Sequence, residues 1–124
     1  MNRRDFMEIF QTERLVLRNV TPKDAPVIFD YRNNDLCARY QRGQVRDRAG
    51  VEALVKKRQK DVISTRCSCM LAIAHKETDE LVGEILIMPN NGCFSLGYTI
   101  SYRHHRKGYA YEALSVLIDA LHTA

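Results

Sequence analysis

The stretch from Phe94 to Leu117 changes its hydrophobic period halfway along, and this change constrains the fold more than any other feature of the sequence. Apolar residues alternate with small polar ones from Phe94 to Ser101, which predicts a strand with one buried face. From Tyr109 onward, apolar residues recur every three or four positions, which predicts an amphipathic helix. Residues 103–108, RHHRKG, join the two patterns. We therefore predict a strand, a basic turn and a helix.

A turn between a strand and a helix is a candidate anion site. It presents unpaired backbone N–H groups and the positive end of the helix dipole. Gly108 permits a backbone conformation and a close approach that a side chain would prevent. Three permanent cations, Arg103, Arg106 and Lys107, add attraction for phosphate, and pyrophosphate is the ligand that this pattern favours. A single glycine among charged residues is also typical of a solvated turn, so spacing alone leaves both interpretations open.

Residues 103–113, RHHRKGYAYEA, resemble the acetyl-CoA motif Gln/Arg-x-x-Gly-x-Gly/Ala of the GNAT acetyltransferases. Lys107–Ala110 and Glu112-Ala113 match the form common in the RimJ/RimL-like branch, and so does TERLVLR at residues 12–18. The resemblance extends from Thr12 to the end of the sequence. Three positions depart from the family pattern: Tyr102, His105 and Arg106. None of these departures removes a backbone N–H donor.

The resemblance implies a mixed α/β fold, in which helices flank a central, mostly antiparallel sheet, and a single domain over residues 1–124. It also implies an N-acetyltransferase that takes its acetyl group from acetyl-CoA. The acceptor would be a primary amine, on a protein N-terminus or on a small molecule. The backbone around Tyr98–Ser101 would pair with the pantetheine arm, and the turn would hold the pyrophosphate. The residues expected to bind the cosubstrate are Tyr98, Ile100, Arg103, His105, Arg106, Lys107, Gly108, Tyr109 and Ala110.

A GNAT domain normally continues past this helix with a further strand, a helix and a terminal hairpin. The sequence stops at Ala124, so we expect a C-terminally truncated domain that lacks one wall of the site. Two interpretations follow. Either the chain is an acetyltransferase, or it is an inactive fragment that mainly binds CoA or associates with itself. The second interpretation depends on an exposed sheet edge, which tends to pair with a second copy.

Glu84 is the first candidate for a general base that deprotonates the acceptor ammonium. It interrupts an apolar strand, LVGEILIM at residues 81–88, and a carboxylate on a central strand either faces a cleft or needs a partner. Alternatively, Glu84 lies on an exposed sheet face by simple alternation. Glu112, the other carboxylate of the family motif, lies in the first helical turn, where its charge favours the helix dipole.

The remaining segments predict the order of the other elements. Thr21 and Asp47 are the predicted N-caps. The irregular region over residues 36–48 carries four arginines that could select an acidic acceptor, although solvated loop charge explains them too. The predicted elements are a strand over residues 13–20, a helix over 22–32, a helix from 48 to about 62 with Val62 on its inner side, strands over 69–74 and 81–88, and a turn over 89–92.

Composition excludes several classes of protein. The 124 residues suit one domain, and fractions of 45% hydrophobic and 27% charged residues are typical of a soluble globular protein. The net charge of +4 is scattered and comes without clustered aromatic residues, which disfavours a nucleic-acid module. No apolar run approaches the roughly 20 residues of a membrane span. The N-terminus does not resemble a signal peptide, so we expect a cytoplasmic protein that does not bind membranes.

The four cysteines match no zinc-ribbon spacing, so we predict no metal site. A catalytic thiol is a weaker alternative. The sequence has four histidines that could activate one, but no cysteine lies in a recognisable nucleophile context.

Overall fold

The computed structural model describes residues 8–33, 47–64 and 66–123. The strands in these ranges are β1 (Glu8–Gln11), β2 (Leu15–Asn19), β3 (Cys69–His75), β4 (Leu81–Asn90) and β5 (Cys93–Ile100). The α-helices in the same ranges are α1 (Ala25–Arg32), α2 (Arg48–Arg58) and α3 (Tyr109–Thr123). Short 3-10 turns at Pro22–Asp24 and Tyr102–His104 precede α1 and α3 respectively.

The five strands form one antiparallel sheet in the order β1-β2-β3-β4-β5. Short turns join β1 to β2, β3 to β4 and β4 to β5, whereas α1 and α2 lie between β2 and β3 in the sequence. Asn91 and Gly92 connect β4 to β5 with φ angles of 50° and 84°, the left-handed conformation that a two-residue Asn-Gly hairpin requires. Helices pack on both faces of the sheet, and the predicted mixed α/β class is confirmed.

Alternation along the strands divides the core between the two faces of the sheet. Leu71 and Ile73 of β3 face α3, whereas Met70 and Ala72 of the same strand face α1 and α2. The apolar side chains that α3 contributes to its face include Ala113 and Leu117, both fully buried. Burial on both faces gives β3 its continuous apolar sequence. The candidate site therefore lies on the α3 side of the sheet, and α1 covers the opposite side.

Several boundaries differ from the sequence-based prediction. β1 was not predicted, because its four residues, EIFQ, are too few to show a period. The predicted turn at residues 89–92 begins later, since β4 continues through Pro89 and Asn90. Proline is tolerated there because β3 pairs with β4 only as far as Ile87, which leaves the N–H side of Pro89 without a neighbouring strand.

The prediction that α2 continues to Val62 was wrong. The helix ends at Arg58, and Val62 is 59% exposed. The chain leaves the helix because Asp61 is bound to the sheet, where its Oδ2 accepts a hydrogen bond from the N–H of Met70 at 2.9 Å. At the other end of α2, the predicted N-cap is confirmed, since the side chain of Asp47 accepts a hydrogen bond from Gly50 N.

The arginine-rich region falls mainly on residues 34–46, so Arg39, Arg42 and Arg46 lie outside the described residues. Arg48 is described and begins α2. Within the described ranges, no helix combines the length and the apolar character needed to cross a bilayer.

Candidate functional site

A cavity of about 260 Å³ lies where β5 ends and α3 begins. Its lining consists of Tyr98 and Ile100 from β5, loop residues 104–108, and residues 109–111 from the first turn of α3. All of the predicted cosubstrate residues except Arg103 line this cavity. The fold thus brings together the end of the strand, the basic loop and the start of the helix, as the change of hydrophobic period predicted.

The loop backbone adopts two left-handed conformations, with φ angles of 65° at Arg106 and 76° at Gly108. Glycine adopts this conformation without steric cost, whereas a branched side chain would be strained. A Cβ added to Gly108 would lie 3.6 Å from Arg14 Nη2, which is ordinary van der Waals contact. The need for glycine at this position therefore comes from its φ angle more than from crowding.

Backbone donors converge at the start of α3. Glu112 N makes the first intrahelical hydrogen bond, to the carbonyl of Gly108 at 3.0 Å. The N–H groups of residues 109–111 precede this bond, and a helix has no carbonyl to offer them. The same three residues line the cavity, where these donors and the helix dipole favour an anion.

Two of the three predicted permanent cations lie at the cavity. Arg106 and Lys107 are exposed there and line it. Arg103 does not line the cavity, since its Nε lies 3.4 Å from Asp30 Oδ2 and its guanidinium packs over the ring of Tyr102. The positive potential of the site therefore depends on two side chains and the helix dipole.

The histidines of the loop have different contacts. His105 Nε2 lies 2.8 Å from the carbonyl oxygen of Ile100, which ties the loop to the end of β5. His104 packs against the ring of Tyr109. Burial lowers the pKa of His104, although its Nε2 lies 3.5 Å from a carboxylate oxygen of Glu80, whose charge acts in the opposite direction. The lowered pKa favours the neutral form of His104, which adds no positive charge to the site.

Glu112 faces the residues that precede β2. Its carboxylate accepts hydrogen bonds from the Thr12 hydroxyl, from Arg14 N at 2.9 Å and from Arg14 Nε at 2.7 Å. Burial alone would raise the pKa of Glu112, but the hydrogen bonds from Thr12 and Arg14 and the charge of Arg14 hold it below the ordinary value of 4.5. An ionised carboxylate with these bonds joins α3 to the sheet and is poorly placed to accept a proton.

Glu84 lies on the opposite face of the sheet, beneath α1, and is only 5% exposed. Its Oε1 accepts a hydrogen bond from the Tyr31 hydroxyl at 2.5 Å, and its Oε2 lies 2.6 Å from Arg32 Nη2. Burial and the neighbouring Glu84 charge raise the pKa of Tyr31 well above its usual value, so the phenol stays a donor. Glu84 is therefore buried with two partners. The alternative expectation, that it lies on an exposed face of the sheet, was wrong.

The described cysteines are poor nucleophiles or lie away from the cavity. Burial raises the pKa of the Cys69 thiol to about 11, with a further contribution from the charge of Asp61. Cys67 and Cys93 are exposed free thiols, and neither lines the cavity. Among the described residues, no three His, Cys, Asp or Glu side chains lie close enough together to hold a metal ion.

Sequence reasoning missed two residues that support the site. Arg14 belongs to the segment that resembles the RimJ/RimL-like opening, but nothing in its sequence context indicates a contact with the loop. Asp30 accepts a hydrogen bond from the Tyr102 hydroxyl at 2.9 Å and so links α1 to the turn before the loop. The sequence carries no signal for either contact, because the partners lie 72 or more positions apart and meet only in the folded structure.

Comparison with known proteins identifies the family. Residues 14–124 match the sequence profile described as the acetyltransferase (GNAT) domain. This chain therefore belongs to the GNAT acetyltransferase family, as the motif around Gly108 indicated.

Relatives of known sequence are similar over most of this chain. It is 31% identical over 123 residues to the uncharacterized N-acetyltransferase p20 of Bacillus licheniformis, an alignment that covers 91% of this chain and 65% of that protein. It is 28% identical over 116 residues to the uncharacterized N-acetyltransferase YoaA of Bacillus subtilis, which covers 90% of this chain and 64% of that protein. The chain thus spans slightly less than two thirds of the length of these relatives.

Solved structures show the same fold. A GNAT family acetyltransferase from Bacillus anthracis superimposes with a TM-score of 0.74 at 21% identity, covering 87% of this chain and 62% of that one. A protein from Vibrio cholerae named as a ribosomal-protein-serine acetyltransferase gives a TM-score of 0.66 at 25% identity, covering 90% of this chain and 66% of that one.

Proposed function

We propose that this chain is an acetyl-CoA-dependent N-acetyltransferase of the RimJ/RimL-like branch and that the cavity beside Gly108 holds the pyrophosphate of acetyl-CoA. The observation that carries the proposal is the convergence of the first-turn N–H groups of α3 with Arg106 and Lys107 at one cavity. An exposed anion gains only about 0.3–1 kcal/mol from a helix dipole. The hydrogen-bond donors and the two cations must therefore supply most of the affinity.

Acetyl transfer needs a positioned thioester, a neutral amine and stabilisation of the developing oxyanion. The loop would help to position the thioester, because a bound pyrophosphate restricts where the remainder of acetyl-CoA can lie. Tyr98 and Ile100 line the same cavity and belong to β5, so the pantetheine arm would leave the loop along this strand. Tyr98 is 47% exposed beside the cavity, although the alternation of its strand predicted an inward position.

The role of Glu84 as the general base is the second part of the proposal. The carboxylate is bound by Tyr31 and Arg32, so proton transfer would require it to exchange the Arg32 contact for the acceptor amine or a water molecule. The bonds seen here equally suit a residue that holds α1 on the sheet. Glu84→Gln separates the two roles. A base role requires turnover to fall by orders of magnitude with unchanged acetyl-CoA affinity, and retained turnover in the folded variant would exclude it.

The proposed acceptor is a primary amine, and a protein N-terminus is the first candidate. The N-acetyltransferase names of the two Bacillus relatives support an amine acceptor. The name of the Vibrio cholerae protein specifies a ribosomal protein as acceptor for that enzyme, and the chain shares 25% of its residues with it. For the present chain, a protein N-terminus is therefore the first acceptor to test.

The proposal is tested by incubating the chain with acetyl-CoA and two acceptors, a peptide with a free N-terminal serine and a polyamine. Acetylation should be measured by the mass of the acceptor. A thiol reagent is unsuitable because the exposed Cys67 and Cys93 would react with it. Acetylated acceptor above the level without protein is the expected result. No acetylation of either acceptor, despite acetyl-CoA binding, would contradict the proposed activity.

The second candidate function is self-association. Among the described strands, β5 stands at the end of the sheet order, and strands at a sheet edge tend to pair with another chain. An apolar groove of about 320 Å³ lies beside it, lined by Phe94, Leu96, Ile118 and Leu121 among others. Sedimentation over a range of concentrations tests this candidate. A dimer that is lost in Ile118→Lys would support it, and a monomer at all concentrations would exclude it.

A further inference from the structure

Arg14 connects the loop of the candidate site to the helix that follows it. Its Nη2 donates to the carbonyl of Lys107 at 2.9 Å, and its Nε donates to Glu112 Oε1 at 2.7 Å. Its guanidinium also packs over the ring of Tyr109, with 4.7 Å between Cζ and the ring centroid. One side chain therefore holds a loop residue, the first residue of α3 and a residue of its first turn.

The backbone of Arg14 is itself held beside the sheet. Its carbonyl accepts from the N–H of Lys76, the residue after β3, at 2.8 Å, and its N–H donates to Glu112 Oε2 of α3 at 2.9 Å. The next residue, Leu15, is fully buried and begins β2. The guanidinium thus fixes the position of the loop relative to the start of β2.

The contact with Lys107 sets the direction of the neighbouring amide. In a trans peptide, the C=O of one residue and the N–H of the next point in opposite directions. Arg14 is not part of the cavity lining and approaches the loop from outside it. Holding the Lys107 carbonyl toward Arg14 therefore turns the N–H of Gly108 away from Arg14. The left-handed conformation of Arg106, which costs energy in a residue other than glycine, occurs one residue before this contact.

We propose that Arg14 is a positioning residue, which sets the backbone path of the loop and thereby its affinity for the pyrophosphate of acetyl-CoA. This inference rests on the proposed function. The charge of Arg14 is matched by Glu112, and its Nε and Nη2 donors are directed at Glu112 and Lys107. Arg14 therefore acts through the loop backbone and does not bind the anion itself.

The test compares Arg14→Gln with a matched control, Arg58→Gln. Arg58 makes the same kind of contacts, because its Nη1 donates to Asp61 Oδ2 at 2.9 Å and to the carbonyl of Ser68 at 3.2 Å. It does not line the cavity. We expect calorimetric titration with acetyl-CoA to give a Kd about tenfold higher for Arg14→Gln, which is the change that 1.4 kcal/mol produces. The Kd of Arg58→Gln should stay within about twofold of the native value, because an unrelated ion pair does not shape the loop.

Salt dependence separates positioning from direct binding. A side chain that touches phosphate contributes to the slope of log Kd against log salt, so losing it reduces the slope. We expect the slope for Arg14→Gln to equal the native slope. A reduced slope would overturn the positioning role and make Arg14 a phosphate ligand.

Other outcomes are also decisive. If the native chain binds acetyl-CoA and folded Arg14→Gln binds it within twofold, the inference fails while the proposed site stands. If the native chain does not bind, both fail. If Arg14→Gln does not fold, the same acetyl-CoA titration is made with Arg14→Lys. Lysine keeps the charge but cannot bridge Lys107 and Glu112 together, so a raised Kd supports the inference and a native Kd overturns it.

Discussion

Two glutamates in this protein have the same kinds of partner in different surroundings. Glu84 is bound by Arg32 and the Tyr31 hydroxyl, and Glu112 is bound by Arg14 and the Thr12 hydroxyl. The side chains of Arg32 and Glu84 are 5% and 6% exposed, whereas those of Arg14 and Glu112 are 42% and 18% exposed. The Glu84 cluster joins α1 to β4, the Glu112 cluster joins α3 to the segment before β2, and the two clusters differ clearly in their exposure to water.

Because of this difference in exposure, breaking the two clusters should have different effects on stability. Breaking a buried pair leaves an uncompensated charge and typically costs about 3–5 kcal/mol, whereas exposed pairs are worth about 0–1 kcal/mol. Losing one partner of the Glu84 cluster should therefore cost more stability than losing one partner of the Glu112 cluster. The Glu112 cluster contributes little stability and can instead fix the position of the loop beside it.

The largest effect is expected from Glu84→Gln. The substitution keeps the shape of the side chain but removes the carboxylate charge that lies 2.6 Å from the buried Arg32 Nη2, so the free energy of unfolding should fall by about 3–5 kcal/mol. Urea denaturation measures this change. A loss below about 1 kcal/mol would show that the Glu84 cluster behaves like an exposed pair. The double variant Arg32→Met/Glu84→Leu is the control, because removing both charges should restore much of the lost stability.

Removing the hydroxyl partners of the two glutamates should have a smaller effect on stability. Tyr31→Phe removes a buried donor to a charged group and should lower the free energy of unfolding by about 1.5–3 kcal/mol. Thr12→Val removes the corresponding donor to Glu112 and also the acceptor of the Leu15 N–H at 2.9 Å; both bonds are only partly buried, so water can substitute and the loss should be at most about 1 kcal/mol. Both values come from urea denaturation under one set of conditions. Equal losses would contradict the assignment of stability to the buried cluster.

The smallest effect is expected from Glu112→Gln, and it should depend on pH. The folded-state pKa of Glu112 is depressed, so its contribution to stability is present above the unfolded value near 4.5 and is lost as the pH falls through the folded value. The difference in unfolding free energy between native and variant chains should be about 1 kcal/mol or less at pH 7. It should shrink as the pH is lowered below 4.5. A difference that grows toward acid pH would show that the sign is wrong.

Local sequence patterns predicted much of the fold. Alternation identified β2 and β5, short apolar runs identified β3 and β4, and the three- and four-residue spacing identified α3. The Asn91-Gly92 pair lies within the turn predicted between β4 and β5, and its left-handed φ angles fit a two-residue hairpin. Each of these features depends on residues that are close together in the sequence. The basic loop was predicted for the same reason, since its glycine and cations lie within six positions.

The parts that sequence reasoning missed depend on distant contacts. Glu84 meets Tyr31 and Arg32 across more than 50 positions, and Arg14 meets Glu112 across 98. The end of α2 was misplaced because its helical period continues past the point where Asp61 is bound to β3. A sequence pattern can indicate that a buried carboxylate has a partner. Only the packing of α1 on the sheet shows which residues are the partners of Glu84.

We propose that the loop beside Gly108 binds acetyl-CoA, and calorimetric titrations of Gly108→Val and Gly92→Val test this claim. Both glycines have positive φ angles, 76° and 84°, so valine is strained at either position, but only Gly108 lines the cavity. We expect the native chain and Gly92→Val to bind acetyl-CoA with similar Kd values, and Gly108→Val to lose binding while it stays folded. Unchanged affinity in folded Gly108→Val would contradict the claim.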